Sequence, residues 1–209
     1  MPHSRRLSGR TLARCQALQI VFQAEGSGRS VDDVLGGDYV LSEGPLDPYA
    51  ERLARGVGGH LAELDRVLAH SSRNWSLSRM SKVDRDLLRI ALYELLYVDE
   101  VDTGVSISEC VELAKAFGSS DESSRFVNGV LGTIATKIAA GVDVVAQARD
   151  LDAAEAAAGE AARAEAAAGE ASRAAGENDD VPAYGASVDA TAGDASDGYA
   201  DGPSAWDER

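Results

Sequence analysis

Four arginines near the N-terminus are the side chains of this sequence best suited to binding a ligand. They are Arg5, Arg6, Arg10 and Arg14, and no acidic residue lies among them. Guanidinium groups keep their charge and present several N–H donors, which suits them to phosphate. Because the last three recur every four residues, any helical part of this segment places them on one side. The pattern favours contact with a nucleic-acid backbone, and a solvated basic arm is the alternative.

The other reactive residue types do not form a catalytic or metal-binding arrangement in the sequence. His3 lies apart, and His60 and His70 are ten residues apart on one predicted helix, beyond the reach of a single metal ion. Cys15 and Cys110 form no CxxC pair, so we expect reduced, partly buried thiols. No nucleophile elbow, dinucleotide fingerprint or phosphate loop occurs. We therefore expect a protein that is not an enzyme and uses no cofactor or metal.

The charge of −15 is unevenly distributed along the 209 residues. Residues 1–140 carry 16 Lys and Arg against 19 Asp and Glu, whereas residues 141–209 carry 4 against 16. The first part is long and apolar enough for one domain with its own core. The second contains a ten-residue repeat, AEAAAGEAAR then AEAAAGEASR, whose glycines weaken a helix. We predict one domain over 1–140, a marginal helix over 141–176 and a disordered acidic tail over 177–209.

Hydrophobic periodicity predicts an all-α fold with about six or seven helices. Apolar patterns, capping residues and glycines predict helices over 11–24, 47–70, 80–98, 106–117 and 125–139, and a short helix is compatible with 31–35. In the third segment only Arg85, Asp86, Arg89, Tyr93 and Tyr97 are expected to reach water or polar partners. The GVGG stretch at 56–59 favours close helix packing. No membrane-spanning run or signal peptide is recognised, so we expect a cytoplasmic protein.

Four blocks of sequence resemble the family of the transcription antitermination factor NusB. They are GRTLARCQALQIVFQ, VDRDLLRIALYELLY, SISECVELAKAFG and SRFVNGVL, and the resemblance covers about residues 5–138. It implies two small helical subdomains packed roughly crosswise and no catalysis. It also implies that the chain joins the ribosomal protein NusE, binds single-stranded boxA RNA, and acts within the transcription elongation complex on ribosomal RNA operons.

The resemblance assigns roles to particular residues. The RNA-binding set it implies is Arg5, Arg6, Arg10, Arg14, Lys115, Arg125 and Phe126. The spacing of Phe126 also suits the core. For NusE the resemblance points to Phe22 and Asp84, although Phe22 alternatively belongs to the core and Asp84 alternatively serves as a first-turn carboxylate favoured by the helix dipole.

Two other functions are compatible with the same residues. A helical protein–protein interaction module without RNA binding would leave the basic arm incidental. The second is an RNA-modifying enzyme, because domains of this kind occur fused to RNA methyltransferases. In this sequence, however, a low-complexity tail stands where the cofactor-binding domain would be needed. Formation of a homodimer is left open.

Overall fold

The computed structural model describes residues 7–72 and 76–176, with side chains to residue 173, and every described element is helical. The expected all-α class is confirmed. The elements are α1 (Gly9–Ser27), α2 (Val31–Leu35), α3 (Pro48–Gly59), α4 (Leu61–Ser71), a 3-10 turn (Leu77–Arg79), α5 (Lys82–Tyr97), α6 (Thr103–Phe117), α7 (Ser123–Ala139) and α8 (Val144–Gly176).

Helix α5 lies at the centre of the fold. It packs against α1, α3 and α4, which precede it in the chain, and against α6 and α7, which follow it. Leu87, Leu88, Ile90 and Leu92 are fully buried there. Burying a side chain of this size stabilises a fold by about 1.5–3 kcal/mol, so this segment contributes heavily to the core, as its continuous apolar pattern predicts.

The predicted helix over 47–70 is two helices, not one. Asp47 caps α3 by accepting the backbone N–H of Tyr49 at 2.7 Å, and Pro48 follows it as the first helical residue. The helix ends at Gly59, and His60 has a non-helical φ of −115° before α4 begins. The two adjacent glycines just before His60 are the sequence signal for this break, since glycine disfavours helix continuation.

The GVGG stretch packs closely against α5, as expected. A Cβ atom placed on Gly56 would lie 2.0 Å from Cζ of Tyr93. The ring of Tyr93 in turn contacts His60, at 5.6 Å between centroids, and Tyr97, at 5.2 Å. Because Gly56 has no side chain, the ring of Tyr93 can lie directly against α3 at this position.

Three glutamines of α1 fix the long connection between α2 and α3. The side-chain amide of Gln23 both donates to the carbonyl of Val40 and accepts its N–H, each at 2.9 Å. Gln19 accepts the backbone N–H of Ser42 at 2.9 Å and donates to its hydroxyl at 2.6 Å. Gln16 donates to the carbonyls of residues 43 and 45 and accepts the N–H of residue 47. Side chains of α1 thus bind backbone groups at several positions of this connection.

Two of the α5 side chains predicted to reach water or polar partners are buried and reach polar partners. Asp86 is 0% exposed and Arg89 is 6% exposed. Arg89 donates to Asp86 at 2.8 Å and to both carboxylate oxygens of Asp65 at 2.7 Å, and it lies 3.3 Å from Glu25. Asp65 and Glu25 are carboxylates that α4 and α1 bring to α5, which the periodicity of α5 alone does not identify.

Helix α8 extends the domain beyond the predicted boundary at residue 140. Val144 and Ala148 are buried in the core, at 4% and 2% exposure. The chain forms two compact units that divide between Ala161 and Ala162, and the described side chains after that division are almost all exposed. Within the described ranges, no single helix is both long and apolar enough to cross a membrane, although α7 and α8, bent apart, meet those criteria as a pair.

Candidate nucleic-acid and partner interface

A cavity of about 460 Å³ lies where the start of α5 meets the connection between α6 and α7. Asp84, Arg125 and Phe126 all line it. The structure therefore brings together one residue expected to bind the protein partner and two expected to bind RNA. Met80 adds an apolar wall and Ser120 a hydroxyl group. Such a mixture of apolar and polar lining is typical of a binding site.

Asp84 is buried, although its position near a helix start indicated an exposed side chain. It is 6% exposed, and its backbone N–H donates to the hydroxyl of Ser81, the cap of α5. Its Oδ2 accepts hydrogen bonds from the hydroxyls of Ser119 and Ser123, each at 3.0 Å. Its Oδ1 is buried without a hydrogen-bond partner. A buried carboxylate oxygen without a donor is costly, so this atom is suited to a donor from outside the chain.

The connection between α6 and α7 is shaped to hold these serines against Asp84. A Cβ on Gly118 would lie 2.3 Å from the carbonyl oxygen of Ala114 and 2.5 Å from Cβ of Ser123. Both distances are below any normal contact, and one involves backbone that cannot move aside. Gly118 thus allows the start of α7 to approach the end of α6.

The three predicted RNA-binding residues of α6 and α7 differ in exposure. The side chain of Arg125 is 82% exposed and pairs with Glu122 at 2.9 Å, one turn earlier. The side chain of Lys115 is 55% exposed and pairs with Glu112 at 2.5 Å. Exposed pairs of this kind are weak, about 0–1 kcal/mol, so both cations can exchange their partner for a phosphate. Phe126 is partly buried, packs on the core and also lines the cavity.

Arg10 is the predicted arginine that the structure presents at the surface of α1. Its guanidinium lies 5.0 Å from the ring centroid of Tyr49 and donates to the carbonyl of Glu100 at 3.3 Å. A cation above an aromatic face is held in place while its outward N–H groups face water. Arg5 and Arg6 lie outside the described residues.

Arg14 does not share this exposed surface, because it is 1% exposed. Its Nε donates to Glu94 at 2.9 Å, its Nη2 lies 2.9 Å from the other carboxylate oxygen, and Tyr49 donates its hydroxyl to the same carboxylate. Burial alone would lower the pKa of Arg14, but the hydrogen bond and charge of Glu94 outweigh it and raise the pKa. The four-residue spacing indicated a common side for the arginines, yet Glu94, 80 residues away, binds this one inside the fold.

Phe22 is 41% exposed on α1 and therefore presents an aromatic surface to solvent, as a partner-binding residue requires. Both cysteines are free and are more deeply buried than expected, and burial raises the pKa of the Cys110 thiol to about 12. Such a thiol is unreactive at neutral pH. Among the described residues, one set of metal-ligand types lies close together, namely His70, Asp152 and Glu155 on α4 and α8.

Sequence reasoning missed the serines that bind Asp84 and the cavity they line. A carboxylate in the first turn of α5 and a serine-rich stretch before α7 were both visible in the sequence. Ser119 and Ser123 lie 35 and 39 residues from Asp84 along the chain, so no local sequence pattern indicates the contact.

Comparison with known proteins places this geometry in a family. The NusB family model matches residues 11–136. The transcription antitermination protein NusB of Salinispora arenicola is 46% identical over 132 residues, which cover 62% of this chain and 96% of that protein. The Bacillus subtilis protein of that name is 40% identical over 129 residues, covering 62% and 96%.

Solved structures show the same relationship. The structure of T. maritima NusB aligns with a TM-score of 0.53 at 32% identity, covering 63% of this chain and 94% of that one. A crystal structure of antitermination factors NusB and NusE in complex with double-stranded RNA aligns with a TM-score of 0.50 at 25% identity, covering 60% and 94%. Sequence and fold agree, and the chain belongs to the NusB family of transcription antitermination proteins.

Proposed function

We propose that this chain binds boxA-type RNA together with NusE and thereby helps RNA polymerase to elongate through ribosomal RNA operons. Membership of the NusB family confirms the expectation that the chain is not an enzyme. The observation that carries the proposal is the cavity at the start of α5, where Asp84 offers a buried carboxylate oxygen beside the exposed Arg125. A related NusB in complex with NusE and RNA supports the two kinds of ligand.

The charges of the surface are suited to these two ligands. Arg10 and Arg125 are held at the surface by weak contacts, so each can bind a phosphate. The unpartnered Oδ1 of Asp84 is suited to a backbone or side-chain donor from a protein. We therefore infer that Arg10 and Arg125 contact RNA, that Asp84 receives a donor of NusE, and that the exposed ring of Phe22 extends the protein interface.

RNA binding is tested by charge reversal and salt. Arg10→Glu combined with Arg125→Glu should weaken binding of boxA and of unrelated single strands alike, because phosphate contacts carry no sequence information. The slope of log affinity against log salt should shrink by about 0.7 for each phosphate that the variant no longer binds, or roughly 1.4 in total. Fluorescence anisotropy of a labelled RNA, from about 50 to about 200 mM salt, measures both quantities.

Arg163→Glu is the matched control, since this arginine lies on the exposed part of α8 outside the family match. It should leave the salt slope of the RNA complex close to that of the wild type. Equal slopes for the wild type and the Arg10 and Arg125 double variant would place the RNA on another surface.

NusE binding is tested with Asp84→Asn, which keeps an acceptor for the serine hydroxyls but removes the charge. Asp84→Lys is unsuitable, because a lysine at this buried site is expected to lower the free energy of unfolding by about 3 kcal/mol or more. We expect Asp84→Asn to keep its helical circular dichroism and to lower the affinity for NusE at least about fivefold, because it removes a hydrogen bond to a charged group. Isothermal titration calorimetry measures that affinity. Undiminished NusE affinity would remove Asp84 from the interface.

The same measurements distinguish the alternative function. A chain that binds NusE normally but binds no RNA, alone or in the NusE complex, is a protein–protein interaction module. Stronger RNA binding in the presence of NusE would instead support the joint site proposed above.

A further inference from the structure

Glu100, in the turn between α5 and α6, binds an arginine from each of two other helices. Arg10 of α1 donates to its backbone carbonyl at 3.3 Å. Arg52 of α3 donates to its side-chain carboxylate. The side chain of Arg10 is exposed, and that of Arg52 is 44% exposed. The fold therefore brings two accessible guanidinium groups to one residue, although they lie far apart in the sequence.

Tyr49 holds Arg10 in position on this surface. It lies three residues before Arg52 on α3, so the two side chains share a helix face. The guanidinium of Arg10 lies 5.0 Å from the ring centroid, and the phenol hydroxyl donates to the buried Glu94. Because the ring is bonded to a buried group, it has little freedom to turn. Both arginines are thus positioned before a ligand arrives, which lowers the entropy cost of binding.

The ion pair between Arg52 and Glu100 is open to exchange. Its two side chains are 44% and 48% exposed, and exposed pairs contribute little to stability. The hydrogen bond from Arg52 is the main cause that lowers the pKa of the Glu100 carboxyl, so this group stays charged at neutral pH. A phosphate can replace the carboxylate, because its oxygens also accept two parallel hydrogen bonds from a guanidinium.

A ligand for this surface must supply anions to both arginines. Arg10 is inferred above to contact RNA, and its hydrogen bond to Glu100 makes Arg52 its neighbour. A single strand carries a phosphate on every nucleotide, so a strand bound at Arg10 brings further phosphates to the same surface. An acidic peptide instead offers carboxylates at intervals that vary with its sequence. Continuity with Arg10 therefore favours RNA as the ligand of Arg52.

We propose that Arg52 is a further RNA-binding residue and that Glu100 is its built-in competitor, which a phosphate of the RNA displaces. This inference rests on the proposed binding of boxA-type RNA. In the free chain the carboxylate neutralises Arg52. In the complex a phosphate takes its place, and the freed carboxylate repels the strand. Glu100 thus lowers the affinity for RNA while Arg52 raises it, and the two effects can be measured separately.

The first test is Glu100→Gln, which removes the competing charge but keeps the backbone carbonyl that binds Arg10. Fluorescence anisotropy of labelled boxA-type RNA with the full chain, in the presence of NusE, measures the affinity. At about 50 mM salt we expect binding to become about two- to fivefold tighter, the range for the loss of an exposed ion pair. Asp99→Asn is the matched control, because it removes the same charge from the same turn and Asp99 makes no described contact with either arginine. Its gain should be smaller.

The second test adds Arg52→Gln to the Glu100→Gln chain. The affinity gain should be lost, and the slope of log affinity against log salt should shrink by about 0.7, the value for one phosphate of a single strand. Arg55→Gln in the same chain is the matched control, because this arginine lies on the same helix and pairs with Glu51 and Asp32 instead. It should leave the slope unchanged.

Several results would overturn the proposal. Equal gains from Glu100→Gln and Asp99→Asn would show only a general effect of negative charge, and an unchanged slope on loss of Arg52 would place the phosphates elsewhere. Changes in NusE affinity without changes in RNA affinity would assign the surface to a protein. A chain that binds no RNA would overturn the proposed function as well. RNA binding that responds to the Arg10 and Arg125 double variant but not to Arg52 or Glu100 would overturn this inference alone.

Discussion

Replacing Gly56 by alanine tests the packing of α3 against α5. The new methyl group would lie 2.0, 2.3 and 2.4 Å from three atoms of the Tyr93 ring. Carbon atoms in contact lie about 3.5 Å apart, so the ring must move by about 1.5 Å. Movement of that size separates Tyr93 from His60 and Tyr97, whose rings it now contacts.

The expected cost combines two opposing effects. Alanine favours a helix interior over glycine by about 0.5–1 kcal/mol. Overpacking costs about 1–3 kcal/mol, and each aromatic pair that is broken costs about 0.5–1.5 kcal/mol. Because the Tyr93 ring is the end of a flexible, partly exposed side chain, we expect it to swing away and the net loss to be about 2 kcal/mol.

Thermal unfolding followed by circular dichroism measures this loss. A change of about 2 kcal/mol in a domain of this size lowers Tm by about 4–8 °C. Gly59→Ala is the matched control, because a Cβ at this position of the same helix meets nothing within 4 Å. It should leave Tm unchanged or raise it slightly.

A double-mutant cycle identifies the cause. In a Tyr93→Ala background there is no ring for the new methyl group to meet, so Gly56→Ala should become neutral or stabilising. Two results would refute the argument: a Tm for Gly56→Ala equal to that of Gly59→Ala, or an undiminished loss in the Tyr93→Ala background.

Three further predictions concern charge, the α6–α7 connection and the tail. Burial first, and the nearby charge of Glu25 second, raise the pKa of Asp86 to about 7; folding therefore binds a proton between about pH 4 and 7, and stability to urea should fall as pH rises through that window. Asp86→Asn should remove this part of the pH dependence, and an unchanged slope would contradict it. Gly118→Ala should lower Tm and the affinity for NusE, whereas Gly129→Ala, whose Cβ would meet open space, should change neither. Equal effects of the two variants would show that the connection between α6 and α7 is not tightly packed. Truncation after Ala161 should tighten RNA binding modestly at low salt and not at high salt, because the removed segment is acidic and its competition is screened; equal affinity of the full and truncated chains at both salts would leave the tail without this role.

The long helices could be predicted from the sequence because their information is local. The apolar residues of α5 recur within a few positions of one another, and their burial follows from that pattern alone. Even the packing of Gly56 was visible as a GVGG stretch, although its partner Tyr93 was not.

The candidate site was predicted less well because its contacts join distant parts of the chain. Arg14 and Asp84 were both identified as binding residues on exposed surfaces, and both are buried. The partners responsible are Glu94 for Arg14, and Ser119 and Ser123 for Asp84. A carboxylate in the first turn of a helix is ordinary, and only tertiary structure shows that one of its oxygens lacks a donor.

The glutamines of α1 determine how the connection between α2 and α3 can vary. The backbone N–H groups of Val40, Ser42 and Asp47 donate to the amides of Gln23, Gln19 and Gln16, respectively. The register of the segment is therefore fixed even though it has no regular secondary structure. Inserting or deleting one residue there would shift the peptide groups past their amides and leave several N–H and C=O groups unpaired. A length of chain that looks like a flexible loop is therefore a poor place for a tag, a label or a circularly permuted terminus.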